Sequence, residues 1–156
     1  MNHVDKKQPV RKYPAPGVLV SHHGPTIVFL TVCAQSKRPW LANEICHSTL
    51  LNAWEKADAW IVGKYVVMPD HIHLFAAPGA KDIEFDTWVR YWKSLTTKAL
   101  KNQAHGWQKK SWHHRLRHGE SYTEKWDYVV NNPVRKRLVE NPSDWPFQGE
   151  IHVLPW

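Results

Sequence analysis

Two cysteines in 156 residues cannot support a disulfide framework, and Cys33 sits in an apolar run that reads as a core strand. The first residues lack the apolar core of a secretory signal. The longest apolar stretch, near Ile27 to Ala34, is too short to span a bilayer. These absences lead to the expectation of a soluble cytoplasmic protein with no membrane partner. No internal repeat and no low-complexity segment interrupts the chain, and its length suits one domain with a real core. Acids are scarce: 14 against 21 lysines and arginines, for a formal charge of +7. That balance points to a polyanionic partner.

The shortage of acid is local. From Thr87 to His118 no acid occurs, while eight cations do: Arg90, Lys93, Lys98, Lys101, Lys109, Lys110, Arg115 and Arg117. Among them stand Trp88, Tyr91, Trp92, Trp107 and Trp112. Cations tracking phosphates, set beside rings on which bases stack, are what a groove for single-stranded nucleic acid requires. A solvated helix face over core tryptophans gives the same composition, since Trp88 and Trp92 lie four apart and fit a buried stripe. Trp107 and Trp112 are the candidates for base stacking. Residues 1–24 are polar and proline-bearing, with Lys6, Lys7, Arg11 and Lys12, and read as an extended basic arm. Arg11 and Lys12 join the candidate nucleic-acid contacts.

Residues 26–34 (TIVFLTVCA) form a β-branched apolar run, expected as a buried strand. A helix is expected over Asn43 to Ala59, with Asn43 as cap and Ile45, Leu50, Leu51 and Trp54 as apolar positions. Ile61 to Met68 and His71 to Ala77 read as two strands of a hairpin around Pro69-Asp70. A second helix covers Phe85 to about Asn102, a further strand Trp107 to Arg117, and a third helix Glu120 to about Asn131. The order β-α-β-β-α-β-α suggests an α+β fold, one antiparallel sheet with helices packed on it.

Within the hairpin, side-chain alternation turns His71 and His73 to one face and Ile72 and Leu74 into the core. With 11 histidines in the chain, chance supplies on the order of one His-x-His, so solvated histidines on an exposed face account for the pair equally well. In the third helix, Tyr122, Trp126, Val129 and Val130 share one apolar face at 100° per residue. Tyr128 lies opposite, with Asn132 one turn beyond it on the same side. A surface tyrosine covering apolar neighbours is the alternative. Pro133 is expected to break the helix there or start a fresh turn.

Together these segments resemble the REP-associated tyrosine transposases, single-tyrosine members of the HUH nuclease and transposase superfamily. The resemblance spans about residues 25 to 147. It rests on Tyr65-Val-Val-Met-Pro-Asp-His-Ile-His-Leu at 65–74, Trp107-Gln108 leading to His114-Arg115-Leu116-Arg117, Tyr128-Val-Val-Asn-Asn-Pro-Val-Arg at 128–135, and Asp144-Trp145-Pro146. It implies a ferredoxin-like α+β domain, a catalytic unit over residues 25–148 followed by a tail at 149–156. By motif position His71 and His73 match the metal-binding pair, Tyr128 the nucleophile and Asn132 the third ligand. Two departures stand out. His113-His114 replaces the commoner Asp-His, and Lys136-Arg137 follows Val134-Arg135 where a small residue and glycine are frequent.

The implied activity is metal-assisted cleavage and rejoining of single-stranded DNA at REP-like palindromic hairpins. Imidazoles and an amide oxygen suit Mg²⁺ or Mn²⁺, and two imidazoles also tolerate zinc. Tyr128 would form a 5′-phosphotyrosine link and free a 3′-hydroxyl; a free phenol has a pKa of about 10, so the nucleophile needs local activation. Two other functions fit the sequence less fully. One is a catalytically silent DNA-binding module of the same fold. The other is a small zinc hydrolase using His71, His73 and a further histidine, which leaves the cation run and Tyr128 without a role. Monomer and homodimer, with the tyrosine acting in its own or a partner chain, are both open.

Overall fold

The computed structural model describes residues 26–117 and 122–155. The basic arm, with Arg11 and Lys12, and residues 118–121 at the expected start of the third helix lie outside the described residues.

The fold runs β1 (Val28–Cys33), α1 (Glu44–Lys56), β2 (Trp60–Val67), β3 (His71–Pro78), α2 (Phe85–Leu100), β4 (Trp112–Arg115), α3 (Tyr122–Val130), α4 (Asn132–Arg135) and β5 (Gln148–Glu150). The five strands make one sheet in the order β4-β1-β3-β2-β5, every neighbouring pair antiparallel. The first four strands and α1 and α2 are the expected β-α-β-β-α-β arrangement of a ferredoxin-like domain.

Alternation along the strands sorts the side chains into two layers. Val28, Leu30 and Val32 of β1 and Ile72, Leu74 and Ala76 of β3 face α1 and α2, in a core that also takes Leu50, Trp54, Trp88 and Trp92. Ile27, Phe75 and Ala77 face the other way, toward Tyr122 and Leu154, and Val66 and Met68 pack there on Val129 and Trp145. In β2 the register shifts between Val62 and Tyr65. A bulge inverts parity, so Trp60 and Val62 before it and Tyr65 and Val67 after it reach the same core. Gly63 lies in this bulge, where a β-carbon would come within 2.6 Å of the Leu154 side chain and 3.0 Å of the Tyr122 hydroxyl. The lack of a side chain thus lets α3 dock, and Lys64 N donates to the Tyr122 hydroxyl at 3.3 Å.

Asn43 caps α1 as expected, its Oδ1 accepting from Cys46 N at 2.9 Å. The helix ends at Lys56 rather than Ala59, and Ile45, expected among the apolar positions, is 55% exposed. The buried stripe of α1 is Cys46, Leu50, Ala53 and Trp54, and Ile45 is turned about 100° from Cys46, toward solvent. The strand expected over Trp107 to Arg117 is shorter, Trp112–Arg115, and Trp107 joins the sheet through an isolated bridge to Ala34. β5 was not foreseen. It adds Gln148–Glu150 to the sheet edge, and Leu154 beyond it is buried, so the stretch read as a tail contributes to both strand and core.

Candidate functional site

His71 and His73 occupy the start of β3 and point away from Ile72 and Leu74, which are fully buried in the α1/α2 core. Their rings meet edge to face, centroids 4.7 Å apart. Each ring is held from behind. His71 Nδ1 donates to the Asp70 carboxylate at 2.7 Å, and His73 Nδ1 is hydrogen-bonded to Thr31 Oγ1 at 2.9 Å. Both Nε2 atoms are thereby left as the outward ring nitrogens, the arrangement seen when carboxylates or hydroxyls orient metal-ligating histidines. Burial, with the nearby His71, Arg135 and Lys125, pushes the His73 imidazole down to about 3, so it is neutral near pH 7.

Asn132 completes the group. The helix breaks as Pro133 requires: α3 stops at Val130 and α4 begins at Asn132. Asn132 is buried, and its Nδ2 donates to His71 Nε2 at 3.1 Å. A half-turn of the amide would present Oδ1 instead. Asn132 Oδ1 and the outward His71 and His73 nitrogens are then the atoms that could hold a divalent ion. Among the described residues no set of three His, Cys, Asp or Glu side chains could hold a metal ion, so no third histidine or acid joins His71 and His73.

Tyr128 is 66% exposed. Val129 beside it is buried against Val66, Met68 and Trp145, which fixes the phase of α3. Trp145 in turn donates from Nε1 to Val67 O at 3.0 Å, anchoring that cluster to the end of β2. Tyr128, His73 and Asn132 then line one cavity of about 470 Å³, together with Phe29, Lys125, Arg135 and Lys136. Arg135 stacks over the Tyr128 ring at 4.0 Å and donates from Nη1 to the Tyr128 carbonyl at 2.7 Å, steadying the ring at the cavity edge. Tyr122, the other tyrosine of this helix, is a core residue: it packs on Phe75 and its phenol is pushed up, chiefly by burial.

The cation run is divided differently from the sequence expectation. α2 covers the opposite face of the sheet, so Arg90, Lys98 and Lys101 are remote from the cavity. Lys93 is half-buried, donating to Gln108 O at 3.0 Å and lying over Trp107. Lys109, Lys110 and Arg117 are exposed and Arg115 is half-buried around edge strand β4. Trp107 packs against Trp40 and Trp92 and is a wall of the core. Trp112, 51% exposed, pairs in register with Thr31, whose other neighbour is His73, and so stands on the same sheet face as the site. The cations that do line the cavity, Lys125, Arg135 and Lys136, were missed because they lie outside the long acid-free stretch; the Arg135-Lys136-Arg137 run and its closeness to Tyr128 were the available signal.

The same architecture recurs in a solved structure of a REP-associated tyrosine transposase bound to a REP hairpin, with a TM-score of 0.64 and 27% identity over 80% of this chain and 76% of that one. An Escherichia coli protein named REP-associated tyrosine transposase is 34% identical over 88 residues, which cover 55% of this chain and 52% of that protein. The chain is thus similar to REP-associated tyrosine transposases in both sequence and fold. A Haemophilus influenzae protein provisionally given the same name is 28% identical over 110 residues, 58% of this chain and 62% of its own length. The chain thus spans about half to three fifths of the curated relatives it matches. No family model matches it. No helix among the described residues is long and apolar enough to cross a membrane.

Proposed function

We propose that this protein is a transposase-like DNA endonuclease and strand transferase that cuts and rejoins single-stranded DNA at a REP-like hairpin. The observation that carries the reading is the common cavity of Tyr128, His73 and Asn132, with His71 Nε2 bonded to Asn132. The likeness to a protein solved with a REP hairpin supports the choice of DNA.

His71, His73 and Asn132 would hold Mg²⁺ or Mn²⁺, which when bound supplies polarisation of a phosphate oxygen. The remaining work falls to the chain itself. Lys125, Arg135 and Lys136 draw the phosphate into the cavity by charge. The Tyr128 oxygen attacks phosphorus, the 3′-oxygen departs, and a 5′-phosphotyrosine link keeps the bond energy for rejoining. No nucleotide cofactor is needed. Trp112 stands where a base of the bound strand could stack.

The test is incubation of the full chain with palindromic hairpin oligonucleotides bearing single-stranded arms, with Mn²⁺, scored by denaturing electrophoresis. A denaturation-resistant protein–DNA adduct is expected. Binding without adduct at any metal concentration would replace this reading with that of a DNA-binding module.

A further inference from the structure

The cavity under Tyr128 has a neighbour. A second cavity of about 290 Å³ is lined by Lys37, Pro39, Met68, Pro69, Asp70 and His71, with Lys136 and Leu138 closing it. His73, Tyr128 and Asn132 line the first cavity, His71 and Asp70 the second, and Lys136 lines both. The hydrogen bond between Asn132 and His71 therefore marks where the two meet. The lips of the second cavity carry unusual backbone: Ser36 and Lys37 have φ of 55° and 52°, and Arg137, next to Lys136, has φ of 58°. Residues with side chains avoid this left-handed region, and such conformations concentrate at ligand-holding segments.

We propose that the two cavities hold the two sides of the cut strand, the phosphotyrosine-linked segment beside Tyr128 and the freed 3′-hydroxyl segment beside Lys37. This rests on the cutting activity proposed above. Displacement at phosphorus is in line: the bond from the Tyr128 oxygen forms as the bond to the 3′-oxygen breaks on the opposite side. The phenol gives up its proton and the departing 3′-oxygen takes one, so protons and electrons balance. The cavity that adjoins the first at the His71–Asn132 pair, and that Tyr128 does not line, is the Lys37 cavity. There Lys37 contacts phosphates of the departing segment, Lys125 and Arg135 contact those of the retained one, and Lys136 lies between. Holding the 3′-hydroxyl segment in place is what favours rejoining over release.

Two measurements test this. In the first, the full chain carrying Tyr128→Phe binds a fluorescent single-stranded oligonucleotide across a salt series; adding Lys37→Ala or Lys125→Ala should each lower the log-log slope by about 0.7. In the second, the chain with Tyr128 intact meets a hairpin oligonucleotide labelled at its 5′ end, with Mn²⁺. One 3′-hydroxyl fragment forms per adduct, and Lys37→Ala should raise about tenfold the share of it that native gel filtration finds released from the protein, whereas Lys125→Ala should not. Matched thermal melts exclude misfolding. A slope unchanged by Lys37→Ala overturns the second binding cavity, whether or not DNA is cut. Release caused by Lys125→Ala in place of Lys37→Ala overturns the assignment of sides. Lowered slopes without adduct from the unsubstituted chain reject the cutting activity and the sidedness while retaining binding in both cavities.

Discussion

Asn132 and His71 are hydrogen-bonded at 3.1 Å although 61 residues separate them in sequence. The contact joins the first turn of α4 to the start of β3. It brings a neutral amide to the one ring nitrogen of His71 that Asp70 does not occupy.

From this follows a prediction about the residue behind the ring. Asp70→Asn removes the charge that fixes the His71 tautomer, and Mn²⁺ affinity of the DNA-free protein should fall about 10- to 100-fold. His71→Ala should weaken it further. Titration of Mn²⁺ by calorimetry or paramagnetic relaxation reads both; affinities equal to the unsubstituted protein would mean that the ion binds elsewhere.

The two tyrosines of α3 should separate cleanly. Tyr128→Phe is expected to abolish the covalent adduct and leave hairpin binding within about twofold. Tyr122→Phe should keep the adduct but lose the hydrogen bond from Lys64 N, at a cost of about 1 kcal/mol in urea unfolding. An adduct surviving in Tyr128→Phe and lost in Tyr122→Phe would reverse the assignment.

Trp107 and Trp112, equivalent as candidates in the sequence, should behave differently. Trp107 packs on Trp40 and Trp92, so Trp107→Ala should cost about 2 to 3 kcal/mol of stability. Trp112 is exposed on the site face, so Trp112→Ala should stay within about 0.5 kcal/mol and weaken single-stranded DNA binding by about 1 to 3 kcal/mol. Unfolding curves and fluorescence anisotropy distinguish the two. Unimpaired DNA binding by Trp112→Ala would remove the stacking role.

Stability should also depend on pH through His47. Burial holds its imidazole below the ordinary value of 6.5, and its Nε2 lies 2.6 Å from the Tyr65 hydroxyl. The folded state therefore takes up a proton less readily than the unfolded chain. Its contribution is fully present above about pH 6.5 and is lost as pH falls from there toward the lowered folded value. His47→Gln should flatten the decline of the urea midpoint between about pH 6.5 and 5. An identical slope in the two proteins would show that His47 does not carry it.

Period-two alternation was enough to turn His71 and His73 away from Ile72 and Leu74, because a strand with one buried face leaves no choice of side. Helical phase likewise separated Tyr128 from Tyr122, and Pro133 marked the break between α3 and α4, because a proline's missing amide acts locally. Other features were not legible. The acid-free run looked continuous along the chain, yet α2 carries part of it to the far side of the sheet, since the apolar stripe Trp88–Trp92 had to face α1. Ile45 looked like a core residue because of its apolar type, whereas Cys46, one position on, takes the core face of that turn. β5 is three residues long and exists through pairing with β2, for which its own sequence holds little preference.

By itself, then, the sequence determined which residue types stand on which face of each element: two histidines opposite a core face, a tyrosine opposite an apolar stripe, an asparagine after the break. Those are consequences of local periodicity. Only the tertiary structure decided that the three elements meet, that Lys125, Arg135 and Lys136 rather than the α2 cations surround the cavity, and that Asp70 and Thr31 hold the imidazoles from behind. Contacts across tens of residues depend on how the two layers pack on the sheet, and that packing is set by the whole core at once.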